Sequence, residues 1–220
     1  VRIVCALETS ARPPSVALRV GSEEHARELG EARRHASDLL PTLAGMLEER
    51  GATPRDLELI CVGTGPGSYT GLRVGIATAL GLARGAGAEL VSVPSVEALA
   101  FDLLAPGEEG TVLLDARARE LYVARYRHDG DGVTEVLAPR VTTAQELELP
   151  SSGPILGDAT VAEAAGLNEE QRARLVTGRP PRADAVLALG LARHERVGAT
   201  PLSEVEPLYL RPFAATARKR

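Results

Sequence analysis

Residues 65–83 read GPGSYTGLRVGIATALGLA, and no other run constrains the chain as much. The stretch Leu57-Glu-Leu-Ile-Cys-Val62 before it is patterned as a buried strand. A Gly-Pro-Gly corner with the hydroxyls of Ser68 and Thr70 then leads directly into a helix. On that helix Gly71, Gly75, Ala79 and Ala83 recur every four residues and form one ridge of very small side chains. Such a ridge lets another backbone approach closely. Glycine within a helix costs about 1 kcal/mol relative to alanine, so Gly71 and Gly75 serve something other than helix stability. The run therefore offers two readings, an anion site at the loop and a packing seam along the helix.

Composition removes several kinds of chemistry. Lys219 is the sole lysine of the chain. That excludes a P-loop lysine, a Schiff-base lysine and a lysine general base, and GPGSYTG is no Walker A motif. Cys5 and Cys61 both fall in predicted buried strands and have no metal or redox spacing, which reads as core thiols. His25, His35, His128 and His194 show no paired-imidazole spacing. His35 reads as a surface or capping group. Ser68 is not in a G-x-S-x-G elbow, which removes the obvious hydrolase reading. A net charge of −5 and 3% aromatic residues argue against a nucleic-acid grip over the whole surface. The one basic cluster is the tail, Arg211 and Arg218-Lys-Arg220, read either as a solvated end or as a contact to RNA or a partner. No apolar run reaches the roughly 18 residues of a membrane span. The opening Val1-Arg-Ile-Val-Cys-Ala-Leu7 has a strand pattern rather than that of a signal peptide. The expectation is a cytoplasmic protein.

The order of elements predicts a fold class. Strands are expected at 2–8, 15–20 and 24–29 as an antiparallel meander. A helix follows over 36–50 with Leu39, Leu43, Met46 and Leu47 on one face. A strand at 57–62, a helix at 70–85, a strand at 89–93 and a helix at 95–104 complete the pattern βββαβαβα. This is an α/β ribonuclease-H-like lobe. Ala105-Pro-Gly-Glu-Glu-Gly110 reads as a break between lobes 1–105 and 106–220. The second lobe begins the same way, with strands at 111–115, 121–128 and 133–137. It then turns irregular over 142–153, and continues with a strand at 154–156 and helices at 159–165 and 182–197. Two tandem ribonuclease-H-like lobes, the second reduced, make the actin and sugar-kinase architecture.

A phosphotransferase of that architecture needs acids for a metal, two glycine-containing turns around the phosphates and a Gly-Gly helix start for adenosine. The first turn here is Leu7-Glu-Thr-Ser10 followed by Ala11-Arg-Pro-Pro14, and prolines donate no N–H. The second is Leu114-Asp-Ala-Arg117, an acid without the glycine, and the adenosine position, Ile155-Leu-Gly-Asp-Ala159, has one glycine. Glu8, Asp115 and Asp158 read either as a weak metal site or as turn and cap residues kept by the fold. No catalytic, cofactor-binding or metal-binding residue is expected.

The chain resembles the bacterial TsaB (YeaZ) family. The resemblance rests on Ile3-Val-Cys-Ala-Leu-Glu-Thr-Ser10, Ser15-Val-Ala-Leu18, His35 with Leu39-Leu-Pro41, and Gly65-Pro-Gly-Ser-Tyr-Thr-Gly-Leu-Arg-Val-Gly75. It extends through Ser95-Val-Glu-Ala-Leu99, Leu114-Asp-Ala-Arg117, Glu120-Leu-Tyr122 and Glu206-Pro-Leu-Tyr-Leu-Arg211. Glu8 departs from it, since the family often has Asp there. The resemblance implies an actin-like fold without catalysis of its own. It implies a noncatalytic partner in forming N6-threonylcarbamoyladenosine at position 37 of ANN-decoding tRNAs. It also implies a homodimer in isolation, a heterodimer with the transferase TsaD, recruitment of the small ATPase TsaE, and contact with tRNA through that complex. The contrasting expectation, from a different functional class, is a small ATP-dependent kinase of the same fold.

In the family both dimers use the two helices of the first lobe, which here is where the small-residue ridge lies. The expected association surface is Gly71, Leu72, Arg73, Gly75, Ile76 and Ala79 with Leu39, Leu43 and Met46 of the preceding helix. It assumes that large residues such as Val74 and Leu82 face the sheet and leave the ridge free.

Overall fold

The computed structural model describes residues 2–30, 35–177 and 180–210. The first sheet contains β1 (Ile3–Glu8), β2 (Ser15–Val20), β3 (Glu23–Glu28), β4 (Leu59–Gly63) and β5 (Glu89–Val93), in the order β3-β2-β1-β4-β5. The first three strands pair antiparallel, and β4 and β5 add parallel to β1. Strand alternation sends Cys5 and Leu7 to one face and Val4 and Ala6 to the other, and both faces are covered. Helices α1 (His35–Glu48) and α2 (Tyr69–Ala86) cover the first face, where Leu39, Leu43, Met46, Ile76 and Ala79 join Leu7, Leu18 and Ile60. Pro41 sits inside α1.

The second sheet contains β6 (Glu109–Arg117), β7 (Glu120–His128), β8 (Val133–Thr143), β9 (Ile155–Gly157) and β10 (Leu175–Thr177), in the order β10-β9-β6-β7-β8. It again has three antiparallel strands followed by two parallel ones. Read from β8 to β10 it has the connectivity of the first sheet, so the chain carries two ribonuclease-H-like sheets. The short helices α4 (Ala159–Ala164) and α5 (Glu169–Ala173) lie in this half. Val161 and Ala162 of α4 pack on Leu113, Leu121 and Val123.

The lobes are not successive halves of the chain. Helix α3 (Ser95–Leu103) sends Val96, Leu99 and Ala100 onto Val112, Ala124 and Tyr126 of the second sheet. Helix α6 (Ala183–Val197) covers the free face of the first sheet with Ala183, Val186, Leu187 and Leu189. At Gly190 that helix runs so close to β4 that an added Cβ would stand 2.5 Å from Cys61 Sγ. The expected 106–220 lobe therefore cedes its longest helix to the first lobe. From α6 the chain continues as a strap around the β5 edge. Thr200 N donates to Leu90 O at 2.7 Å, and Leu208 N donates to Thr64 O at 2.8 Å. This covers an otherwise open strand edge.

Candidate functional site

The glycine-rich run acquires its meaning from Thr9 and Ser10, which follow β1. Added Cβ atoms at Gly71 and Gly75 would fall on the Thr9 carbonyl oxygen and Thr9 Oγ1, and one at Gly67 would fall on the Ser10 carbonyl. Thr9 Oγ1 donates to Gly71 O at 2.8 Å, and Ser68 N donates to Ser10 O at 2.7 Å. The loop and the first turns of α2 thus lie directly on the Thr9–Ser10 backbone. Gly65 has φ +95°, a left-handed conformation suited to glycine. Ser68 is the N-cap of α2, its Oγ accepting from Gly71 N at 3.2 Å. The two devices read from the sequence are one: the corner and the glycine ridge dock α2 on its own sheet.

Glu8 organises the other side of this contact. It is 1% exposed. Its Oε1 accepts from Ser10 N at 2.6 Å and its Oε2 from Ser95 Oγ at 2.7 Å. Ser95 Oγ also accepts from Gly65 N at 3.0 Å, so a carboxyl and a hydroxyl join β1, the loop and α3. Gly63 leaves the space that the Glu8 carboxyl fills. Burial pushes the Glu8 carboxyl above the usual carboxylate range, and its hydrogen bonds with Ser95, Ser10 and Thr9 only partly oppose this.

The phosphate-binding parts of a kinase are otherwise engaged. In the first turn Ser10 N serves Glu8, and Pro13 and Pro14 have no N–H to offer. In the second, Asp115 Oδ1 accepts from Arg117 N at 2.7 Å, and Arg117, Ala118 and Arg119 all have positive φ. Asp158 caps α4, accepting from Thr160 N at 2.8 Å and Val161 N at 3.2 Å. No three His, Cys, Asp or Glu side chains converge on a metal-sized site among the described residues. A cavity of about 110 Å³ lies between the first turn and the start of α2, lined by Thr9, Ala11, Arg12, Pro14, Ser68, Thr70, Gly71 and Val74. Burial pushes the Cys61 thiol up to about 12 and the Cys5 thiol higher still, so both are inert core groups. The side chain of His35 and residues 211–220 lie outside the described residues.

Helix α2 turns its small-residue ridge inward, contrary to the expectation, with Val74 and Leu82 packed at the margin of the same core. Leu72, Gly75, Ile76, Ala79 and Ala83 point into the chain and are buried, as are Leu39, Leu43 and Met46 of α1. Val74 and Leu82 are only half-buried. The premise of a free ridge is corrected: Gly71 and Gly75 are small because Thr9 occupies the space beside them. Of the nine expected surface residues, Arg73 stands exposed on the outer face. A second row at the same spacing takes the outward position: Tyr69, Arg73, Ala77, Gly81 and Gly85 are all exposed. Added Cβ atoms at Gly81 and Gly85 would meet nothing within 4 Å. Beside this row, α1 exposes Pro41, Ala44 and Leu40, the last at 49%.

At the head of that row is a cluster the sequence did not announce. The Arg73 guanidinium lies 3.9 Å over the Tyr69 ring, and Arg73 Nε donates to Tyr209 Oη at 2.9 Å. The two tyrosine rings are 5.3 Å apart. The strap thus ends against the first turn of α2. Tyr209 could have been suspected from the run Glu206-Pro-Leu-Tyr-Leu-Arg211, but nothing local in that run names Tyr69 as its partner.

Residues 29–191 match the family model described as TsaD, tRNA N6-adenosine threonylcarbamoyltransferase. The chain is 29% identical to Escherichia coli TsaB, a tRNA threonylcarbamoyladenosine biosynthesis protein, over 94% of both chains. The chain belongs to the TsaD family, in its TsaB/YeaZ branch. An uncharacterized protein of Mycobacterium tuberculosis is 33% identical over 76% of this chain and 77% of its own. The structure of YeaZ from Pseudomonas aeruginosa superposes with a TM-score of 0.83 at 24% identity, covering 96% of this chain and all of that one. This agrees with the actin-like, ribonuclease-H-like fold built above. The Glu8–Ser95 pair and the Thr9–Ser10 backbone saddle join the first strand of this chain to its glycine-rich helix. Among the described residues no helix is long and apolar enough to cross a membrane.

Proposed function

We propose that this chain is the noncatalytic assembly subunit of a tRNA threonylcarbamoyladenosine-forming system. It activates a TsaD-type threonylcarbamoyl transferase in the cytoplasm, forms a homodimer when alone, and admits a TsaE-type ATPase to the assembly. The single observation that carries the noncatalytic reading is the fate of the first turn: its Ser10 N–H is held by buried Glu8, and the next two positions that matter are prolines. A turn so arranged offers no free backbone N–H at Ser10, Pro13 or Pro14 to a nucleotide phosphate. The pathway is supported by the relatives named as threonylcarbamoyladenosine biosynthesis proteins.

The association surface is proposed on the outer faces of α1 and α2, through Arg73, Ala77, Gly81 and Gly85 with Leu40 and Ala44. The buried set Leu39, Leu43, Met46, Leu72, Ile76 and Ala79 lies behind it and fixes its shape. Small side chains in a row let a partner helix come near, while Arg73, Tyr69 and Leu40 supply contact area. The test combines purified chain, a TsaD-type transferase, a TsaE-type ATPase, ATP and unmodified tRNA. Threonylcarbamoyladenosine should form only when this chain is present, and the isolated chain should turn over no ATP. ATP turnover by the isolated chain that disappears in Asp115→Ala would reject this reading in favour of a kinase.

A further inference from the structure

The first two turns of α2 carry two surface features. One is the clasp, in which the Arg73 guanidinium lies over the Tyr69 ring and Arg73 Nε donates to Tyr209 Oη at 2.9 Å. Tyr69 and Tyr209 are 37% and 45% exposed, so the clasp is open to solvent. The other is the cavity of about 110 Å³ that Ala11, Arg12, Pro14, Thr70 and Val74 help to line. Pockets that enclose small molecules run to roughly 300–1,000 Å³, so this one is on the scale of a single inserted side chain. Arg73 and Val74 are chain neighbours, about 3.8 Å apart at Cα, so clasp and socket lie within reach of one incoming segment.

The charge of this region is unusual for the chain. Helix α2 contains Arg73 and Arg84, both exposed, and no acid. Arginines elsewhere are widely matched with acids, as in Arg27–Glu49, Arg125–Glu109, Arg182–Glu28 and Arg193–Glu97. Among the described residues, no acid is ion-paired with Arg12, Arg73 or Arg84. In a chain of net charge −5 the outer face of α2 is therefore a local excess of positive charge. A second copy seated with α2 on α2 meets that excess with its own. Centred on the row Arg73, Ala77, Gly81 and Gly85, antiparallel helices set Arg73 beside Arg84 of the second copy, and parallel ones set it beside the second Arg73.

We propose that the Tyr69–Arg73–Tyr209 clasp is a carboxylate-binding site for the transferase, which presents an acidic side chain to Arg73 and an apolar one to the adjacent socket. This rests on the proposed role beside a transferase and adds how one surface tells that partner from a second copy. A guanidinium is a planar fork suited to carboxylate. The Tyr69 ring and the Tyr209 hydroxyl hold it in place before contact, so less side-chain freedom is lost on binding. Tyrosine and arginine are also the residue types that dominate interface energetics. The row of Ala77, Gly81 and Gly85 accepts either occupant, and the clasp favours the acidic one.

Self-association is measured by analytical ultracentrifugation and transferase affinity by titration, for the intact chain, Arg73→Glu, Tyr209→Phe and Gly81→Leu. Arg73 and Tyr209 are exposed, so their variants should melt within a few degrees of the intact chain. Arg73→Glu should weaken transferase binding about tenfold or more, as attraction becomes repulsion, and leave self-association equal or tighter. Tyr209→Phe keeps the ring and removes the hydroxyl that holds Nε. It should weaken transferase binding about threefold and leave self-association unchanged. Unaltered transferase binding in Arg73→Glu would overturn the proposal. So would equal loss of both associations, which makes Arg73 a general contact or a second copy the source of the acid. If Gly81→Leu loses both associations while Arg73→Glu discriminates between neither, the proposed surface stands and the carboxylate site alone is struck. If the intact chain does not bind the transferase, the proposed function fails and the carboxylate site with it.

Discussion

Helix α2 carries two rows of small residues that differ in what stands opposite them. Gly71, Gly75, Ala79 and Ala83 face the chain's own Thr9 and core, whereas Ala77, Gly81 and Gly85 face outward with nothing within 4 Å of the two glycines. In sequence the rows are alike in size and spacing. Their difference is that the inner row is small because a strand end lies against it, while the outer row keeps a surface low. Small size at helical spacing reports a close approach but does not say by whom.

The comparison breaks most visibly at the inner row. Gly75→Leu should fail to give a soluble folded protein, because the new side chain has to displace Thr9 from a buried site. A well-folded Gly75→Leu protein with a normal melt would refute the inner assignment. Gly71→Ala sharpens this, since alanine is about 1 kcal/mol the better helix former. It should nonetheless cost about 3 kcal/mol or more, because its Cβ falls on a backbone oxygen that cannot turn aside. Equal or greater stability by denaturant titration would count against the saddle.

At the outer row the sign reverses. Gly81→Leu should melt a few degrees higher, from the gain of about 1 kcal/mol in helix propensity. It should weaken both self-association and transferase binding about tenfold or more, with the two losses arising together. A Gly81→Leu protein that dimerises normally would move the association surface elsewhere.

The smallest expected effect concerns Glu8, which holds the saddle in place. Burial holds its folded-state carboxyl above the ordinary glutamate value of 4.5, so the native state binds more protons than the unfolded chain. Glu8 therefore favours folding most below about that value, and the contribution falls as pH rises through the raised folded pKa. Glu8→Gln keeps an acceptor for Ser10 N–H and presents an amide to Ser95. It should gain about 1 kcal/mol, roughly 2–4 °C in Tm, near pH 7–8. The difference should vanish near pH 4. A destabilised Glu8→Gln protein at neutral pH would mean that the carboxylate is held charged.

Much of the first lobe was legible because its elements are long and its punctuation strong. The strands at 15–20 and 89–93 coincide with the observed β2 and β5, and the helix expected at 70–85 spans Tyr69–Ala86, closed by Gly87 with φ +69°. The second lobe was harder. Strand β8 runs past Pro139 to Thr143, its pairing with β7 interrupted by irregularities between Val123 and Tyr126, where a shorter strand was expected. Helix α5 has five residues and β10 has three, too short for periodicity to reveal. The facing of α2 departs from the sequence pattern for a different reason. Val74 and Leu82 look better suited to a core than glycine does, and only the nearness of Thr9, 62 residues from Gly71, decides otherwise.

Helices α3 and α6 have a consequence for how the molecule is made. Each roofs the sheet that the other half of the chain builds, so the first sheet's face with Val4, Ala6, Cys61 and Val91 has no cover until residues 183–197 are available. On the ribosome, a nascent chain would carry that apolar face bare while most of the remaining protein is synthesised, a period in which a chaperone or a neighbouring nascent chain could bind it. Cleavage of the finished protein in the exposed link at 105–108 should leave two pieces that stay together, because each still holds the other's roof.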